Sequence, residues 1–296
     1  MKAILVYIFV LVIGLSLGWV IGMDGPTWNG LPVTFVCALL AFAINWIAFI
    51  PSWFAQTEHY YDLTGAITYL SVVACALVLT GAPALTSLIV AGMVAVWCVR
   101  LGVMLFSRIS RAGEDVRFRT IKPHFVRFLG AWTTQGLWVV MTTACAMVIL
   151  TSAEPRPIDA FFILGAVMWA VGFICEVVAD NQKNRFKANP DNQGKFITTG
   201  LWAWSQHPNY FGEILLWTGI AVIAIPYLEG GAWAALISPV FVAFLLTRVS
   251  GIPMLDRIAK KRWGEDPAYQ DYARRTSKLI PLPPKPARTG AEPPAP

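Results

Sequence analysis

Residues 158–187, IDAFFILGAVMWAVGFICEVVADNQKNRFK, decide the fold. From Ala160 to Cys175 every side chain is apolar or absent, and a spanning helix needs about 20 mostly apolar residues. In lipid only a helix or a closed barrel satisfies its own backbone groups, and a continuous apolar run of this length reads as helix. The second half of the stretch changes character. Glu176, Asp180, Asn184 and Lys187 recur at spacings of four and three, which places them on one helical face. The helix is predicted to run past the bilayer surface until Asn189-Pro190 stops it.

Similar apolar stretches lie on both sides, near 4–23, 31–50, 63–80, 84–106, 128–152, 210–226 and 233–250. The expected fold is all-α: a polytopic transmembrane helical bundle of about eight spans, with seven the alternative count. Composition agrees, since 56% of the chain is hydrophobic and 14% charged, against about 25% charged in soluble domains. The first stretch lacks a small-residue cleavage site and carries Gly14, Gly18 and Gly22, a ladder suited to close helix packing, so it is expected to be retained. Of the 23 Lys and Arg, 20 fall at the N-terminus, in 107–127, in 181–209 or after 250. With eight spans these segments share one side, which puts both termini in the cytosol. The net charge of +6 then reflects topology and contact with anionic membrane lipids, not nucleic acid.

Residues 1–280 read as one membrane-embedded domain, and 281–296, with seven prolines, as a disordered tail. Cys37, Cys75, Cys98, Cys145 and Cys175 all lie in apolar stretches with no metal-like spacing, and three histidines are too few for a zinc site. No metal is expected. With so little mass outside the bilayer, a site must be built from cytosolic loops and the mouth of the bundle, and a lipophilic small molecule fits that geometry as substrate.

Ionisable residues inside spans cost roughly 2.5–3.5 kcal/mol at a helix centre. Here they are Asp62, Arg100, Glu176, Asp180, Glu213 and Arg248, and the topology places all of them toward the cytosolic half. A polar cavity explains that clustering better than isolated ion pairs or snorkelling arginines.

The most specific local motif is 194–213, GKFITTGLWAWSQHPNYFGE. Pro208 suits a first helical turn, Asn209 and Glu213 share a face, and the helix N-terminus offers amide donors to an anion. At these residues the chain resembles the C-terminal part of steroid 5α-reductase and, more closely, bacterial membrane proteins grouped as domain of unknown function 1295. The segments EDVRF (114–118), VSGIPML (249–255) and YARRTSKLIP (272–281) resemble the same bacterial group. The likeness covers most of the chain beyond residue 60.

What the resemblance implies is an NADPH-dependent reductase of a C=C bond conjugated to a carbonyl, in a steroid-like or other lipid, working in a bacterial inner membrane with its active site toward the cytosol. Asn209 and Glu213 match residues that contact the nicotinamide end, and Asp180 an acidic position of the cofactor site. Glu176 stands where the reductases have an asparagine, and Lys187 where they have an arginine, which exchanges a bidentate phosphate contact for a point charge. Arg100, Asn184, Lys195, His207 and Tyr210 complete the expected cofactor set. For catalysis the reductases use a contiguous Gln-Glu pair and a Tyr. This chain offers Asp62 as the favoured acid, Tyr61 as a possible donor and Glu58 as competitor, with Trp97 near the position of the family's Tyr.

Two other classes compete. An S-adenosylmethionine-dependent methyltransferase of the isoprenylcysteine carboxyl methyltransferase type shares the HP-x-Y turn. A non-enzymatic or transport protein would use the polar cluster for structure alone. The oligomeric state is not written in the sequence.

Overall fold

The structure is a computed structural model that describes residues 2–81, 83–154 and 156–286. It is an all-α membrane protein, as expected. Ten helices are formed among the described residues: α1 (Lys2–Val20), α2 (Val33–Phe54), α3 (Tyr61–Thr80), α4 (Leu85–Ala112), α5 (Phe125–Leu150), α6 (Ala160–Ala188), α7 (Pro208–Ala224), α8 (Ile237–Phe244), α9 (Ile252–Trp263) and α10 (Pro267–Arg275). Among the described residues, seven helical runs are long and apolar enough to cross a bilayer. The eighth expected span is the shorter apolar stretch Ile4–Val20 of α1. The last run extends further than the sequence suggests. It continues from Gly230 to Trp263 through α8, a π-helical turn at Leu245–Val249, and α9.

The helices sort into two compact units. One comprises Met1–Ala166 and Thr218–Phe241, the other Val167–Trp217 and Val242–Pro296. In the first unit α5 is the hub. Its apolar stretch is 83% buried, against 22–44% for the other long helices, so protein and not lipid surrounds it. The glycine ladder works as a contact surface. A Cβ on Gly14 would lie 2.7 Å from the Phe42 ring, and one on Gly18 would lie 2.8 Å from the Ala38 Cβ. The Thr34 hydroxyl donates to the Gly18 carbonyl at 2.5 Å, a bond available only because the backbones approach so closely. Phe49, Phe118, Phe128 and Trp132 form an aromatic core beneath the loop that follows α4.

In the second unit α6 and α7 touch backbone to backbone. A Cβ on Gly172 would stand 2.6 Å from the Gly212 carbonyl oxygen, and one on Gly212 would stand 2.5 Å from that of Gly172. Any side chain there would force the helices apart, so this crossing sets their register. Residues 281–286 are docked as well. The Leu282 N–H donates to the Trp204 carbonyl, and the Lys285 N–H to that of Arg275. The attached chain therefore runs past 280, where the sequence reading ends it, and the rest of the proline-rich segment lies outside the described residues.

Candidate functional site

The second unit carries the polar stripe and the HPNYFGE turn. Asp180 is buried at 8% exposure, and the Asn209 amide donates to its carboxylate at 3.1 Å. This follows from the Gly172–Gly212 crossing, which sets the first turn of α7 against the polar end of α6's apolar run. Glu176 is buried at 2%, and its backbone approaches the Gly212 position. Glu213 and Tyr210 are half-buried on α7, and both have partners. The ring of Tyr210 stacks on His207 with centroids 5.5 Å apart. Asn184, Lys187 and Lys195 are exposed.

The loop before α7 is pinned to α6 at two adjacent residues. The Trp202 indole N–H donates to the Ala179 carbonyl at 3.0 Å, and the Leu201 N–H donates to the Gln182 side chain at 2.9 Å. Gly200 turns the chain just before them at φ +63°, a conformation that favours glycine. From the other side the YARRTSKLIP segment closes over the loop. The Gln206 amide donates to the Ala273 and Thr276 carbonyls, the Ser205 hydroxyl to Leu279, and the Tyr272 hydroxyl to Trp202.

His207 sits inside this clasp at 6% exposure, and neither ring nitrogen has a hydrogen-bond partner. Asp256 Oδ1 stands 3.7 Å from Nε2 and is itself held by the Lys278 ammonium at 2.6 Å. Burial, aided by the charges of Lys278 and Lys183 and opposed by Asp256, pushes the imidazole down to about 4. His207 is therefore neutral at pH 7, with one donor and one acceptor nitrogen. An open cleft of about 510 Å³ lies alongside, lined by Gln206, Asp256, Lys260, Tyr269, Thr276 and Lys278 among others.

Sequence reasoning missed Lys183. Its ammonium lies 4.3 Å from the centroid of the Trp202 ring. The signal was present, because Lys183 follows Asp180 by three residues and so belongs to the same stripe as Asn184.

The first unit carries the expected catalytic residues. Glu58, 4% exposed, precedes α3 and binds the Lys122 ammonium at 2.6 Å, while its other oxygen accepts the Asp115 N–H at 2.7 Å. Its carboxylate anchors the loop that holds EDVRF. Tyr61 opens α3 and donates its hydroxyl to the Ala131 carbonyl at 3.0 Å. Asp62 lies in the first turn, where the helix dipole favours a carboxylate, and faces Arg108 at 3.9 Å. Burial pushes the Asp115 carboxyl up, but the fork it forms with the Arg117 guanidinium prevails and holds it below the usual range. Arg100 is half-buried on α4 and has partners. Trp97 is buried, and the ring of Tyr69 meets it edge-on at 5.3 Å. Among the described residues no group of three His, Cys, Asp or Glu side chains is placed to hold a metal ion.

Apolar helices of spanning length define an integral membrane protein, and its sequence likenesses support the broad group of steroid-reductase-like and methyltransferase-like membrane proteins. The chain belongs to the family described as protein of unknown function DUF1295, whose profile matches residues 48–276. It is also similar to the probable O-methyltransferase ustE of Ustilaginoidea virens, at 30% identity over 104 residues, 35% of this chain and 34% of the fungal protein. The chain thus spans about a third of the length of the curated relative it matches. No solved structure matches.

Proposed function

We propose that this protein is a membrane-embedded, NADPH-dependent reductase of a C=C bond conjugated to a carbonyl in a lipophilic substrate, steroid-like or another lipid. Its site opens to the cytosol of a bacterial inner membrane, with both termini on that side. The observation that carries the reading is the buried arrangement at the HPNYFGE turn. Asn209 is fixed on Asp180, and His207 is enclosed with two unsatisfied ring nitrogens. A buried polar group without a partner costs about 1–3 kcal/mol, and a ligand that supplies the partner recovers it.

The residues of this unit fit a dinucleotide. The Glu176 and Asp180 carboxylates accept from hydroxyls, the Asn209 amide offers both a donor and an acceptor, and the stripe ends in lysines suited to phosphate. When bound, NADPH would supply a hydride to the β-carbon of the enone and leave as NADP+, with the α-carbon protonated from solvent water. Glu213, one turn from Asn209, lies on the face of α7 proposed to orient the nicotinamide. Tyr210 buttresses His207, while Lys195 and Lys187 meet the ligand's outer, charged end.

Asp62, in its protonated form and as a hydrogen-bond donor, is the proposed group that polarises the substrate carbonyl. Glu58 is committed to Lys122 and the Asp115 amide, and the Tyr61 hydroxyl to the Ala131 carbonyl, so both serve better as supports. Among the described residues Asp62 makes a longer ion pair with the exposed Arg108 and also feels the charge of Arg117.

The similarity to a probable O-methyltransferase favours a second reading, methyl transfer from S-adenosylmethionine. Thermal-shift titration of the detergent-purified full chain separates the two. The reductase reading predicts stabilisation by NADPH that is lost in Asn209→Ala and Glu213→Ala. Stabilisation by S-adenosylmethionine instead supports the second reading, and no response to any nucleotide defeats both.

A further inference from the structure

We infer that Lys183 and His207 together form a phosphate-binding pocket, with Lys183 the residue that selects a phosphate-bearing ligand. The inference rests on the nucleotide reading above only for the carrier of the phosphate.

Lys183 is half-buried on α6, with its ammonium over the face of Trp202. That indole is locked, since its N–H is bound to the Ala179 carbonyl one turn earlier on the same helix and its side chain is only 3% exposed. The cation–π contact thus holds the lysine in one place and takes up none of its three N–H donors. Among the described residues no carboxylate lies within ion-pair distance of Lys183. The nearby acids are engaged elsewhere, Asp180 by Asn209 and Asp256 by Lys278.

His207 is the second, independent observation. It is enclosed, both its nitrogens lack hydrogen-bond partners, and the Lys183 charge reaches it. A positioned ammonium whose charge reaches the imidazole, and a neutral imidazole N–H at the residue before the 17-residue α7, are the two donors of the inferred pocket. Its complement is an oxyanion with several acceptor oxygens, which is the chemistry of a phosphate group. Lys187, the position expected from the sequence to hold phosphate, is exposed, whereas Lys183 is held in place.

The test is thermal-shift titration of the full chain with inorganic pyrophosphate, with adenosine 2′,5′-bisphosphate and with short-chain phosphatidylglycerol in mixed micelles. Lys183→Gln is predicted to weaken binding of the phosphate probes at least tenfold, whereas Lys183→Arg, which keeps the charge and the ring contact, retains it. Dependence on Lys183 for the soluble probes assigns the phosphate to a nucleotide, and dependence for the lipid alone assigns it to a headgroup. Equal affinity in the wild type and Lys183→Gln, or no response to any probe, overturns the inference. If NADPH stabilises both proteins equally, the phosphate pocket falls while the reductase reading stands. If the bisphosphate binds through Lys183 and NADPH does not bind, the pocket stands and the reductase reading falls.

Discussion

A Glu58→Gln substitution would leave the Lys122 ammonium, only 18% exposed, without its carboxylate. Breaking a largely buried pair from one side costs about 3 kcal/mol, so this variant should lose thermal stability in detergent, whereas Asp62→Asn should keep its stability and lose turnover. Equal stability losses in the two variants would contradict the division of roles argued above. His207 gives a pH prediction. Its imidazole titrates near 6.5 when unfolded and near 4 when folded. Between those values the unfolded chain binds the extra proton, so stability falls as pH is lowered through that window. His207→Gln should show a shallower loss from pH 6.5 to 4, by about 2 kcal/mol at the acid end, read from thermal midpoints. At this scale the sequence was legible where chemistry is local. That Asp180 lies in a polar stripe and Asn209 in a local motif follows from spacing alone, although their pairing does not. The partners of Glu58 do not follow either, because Lys122 and the Asp115 amide are 64 and 57 residues away, brought in by a loop whose course no periodicity encodes.

Among the elements, the α6–α7 crossing at Gly172 and Gly212 places the polar groups. A Gly212→Val variant would push its side chain into the Gly172 carbonyl oxygen, 2.5 Å from an ideal Cβ. It should lose about 1–3 kcal/mol, together with ligand-induced stabilisation, measured by the same thermal titration. Gly14, Gly18 and Gly22 were readable as a packing ladder, since a spacing of four on an apolar helix is itself the signal. Gly172 and Gly212 were not, because each is a single small residue whose meaning depends on the register of a helix elsewhere in the sequence. The clasp of 272–282 over residues 202–206 was also invisible. It is built from backbone carbonyls, which every sequence possesses.

For the molecule as a whole, hydropathy alone made the helical membrane fold legible, because a bilayer admits so few ways of satisfying a backbone. The extension of the last run to Trp263 was less so, since its basic end at Lys260, Lys261 and Arg262 reads as a solvated segment. The distribution of Lys and Arg predicts that reporters fused to either terminus are cytosolic; a periplasmic signal from either one contradicts it. The central claim is that this fold carries hydride to a lipid. Its most direct test gives the detergent-purified full chain a bacterial lipid extract with NADPH deuterated at the transferable hydride and methyl-labelled S-adenosylmethionine together, followed by mass spectrometry. The account predicts deuterium on carbon in a lipid product, abolished in Asp62→Asn and Glu213→Ala; labelled methyl in the lipid fraction, with no deuterium, would contradict it.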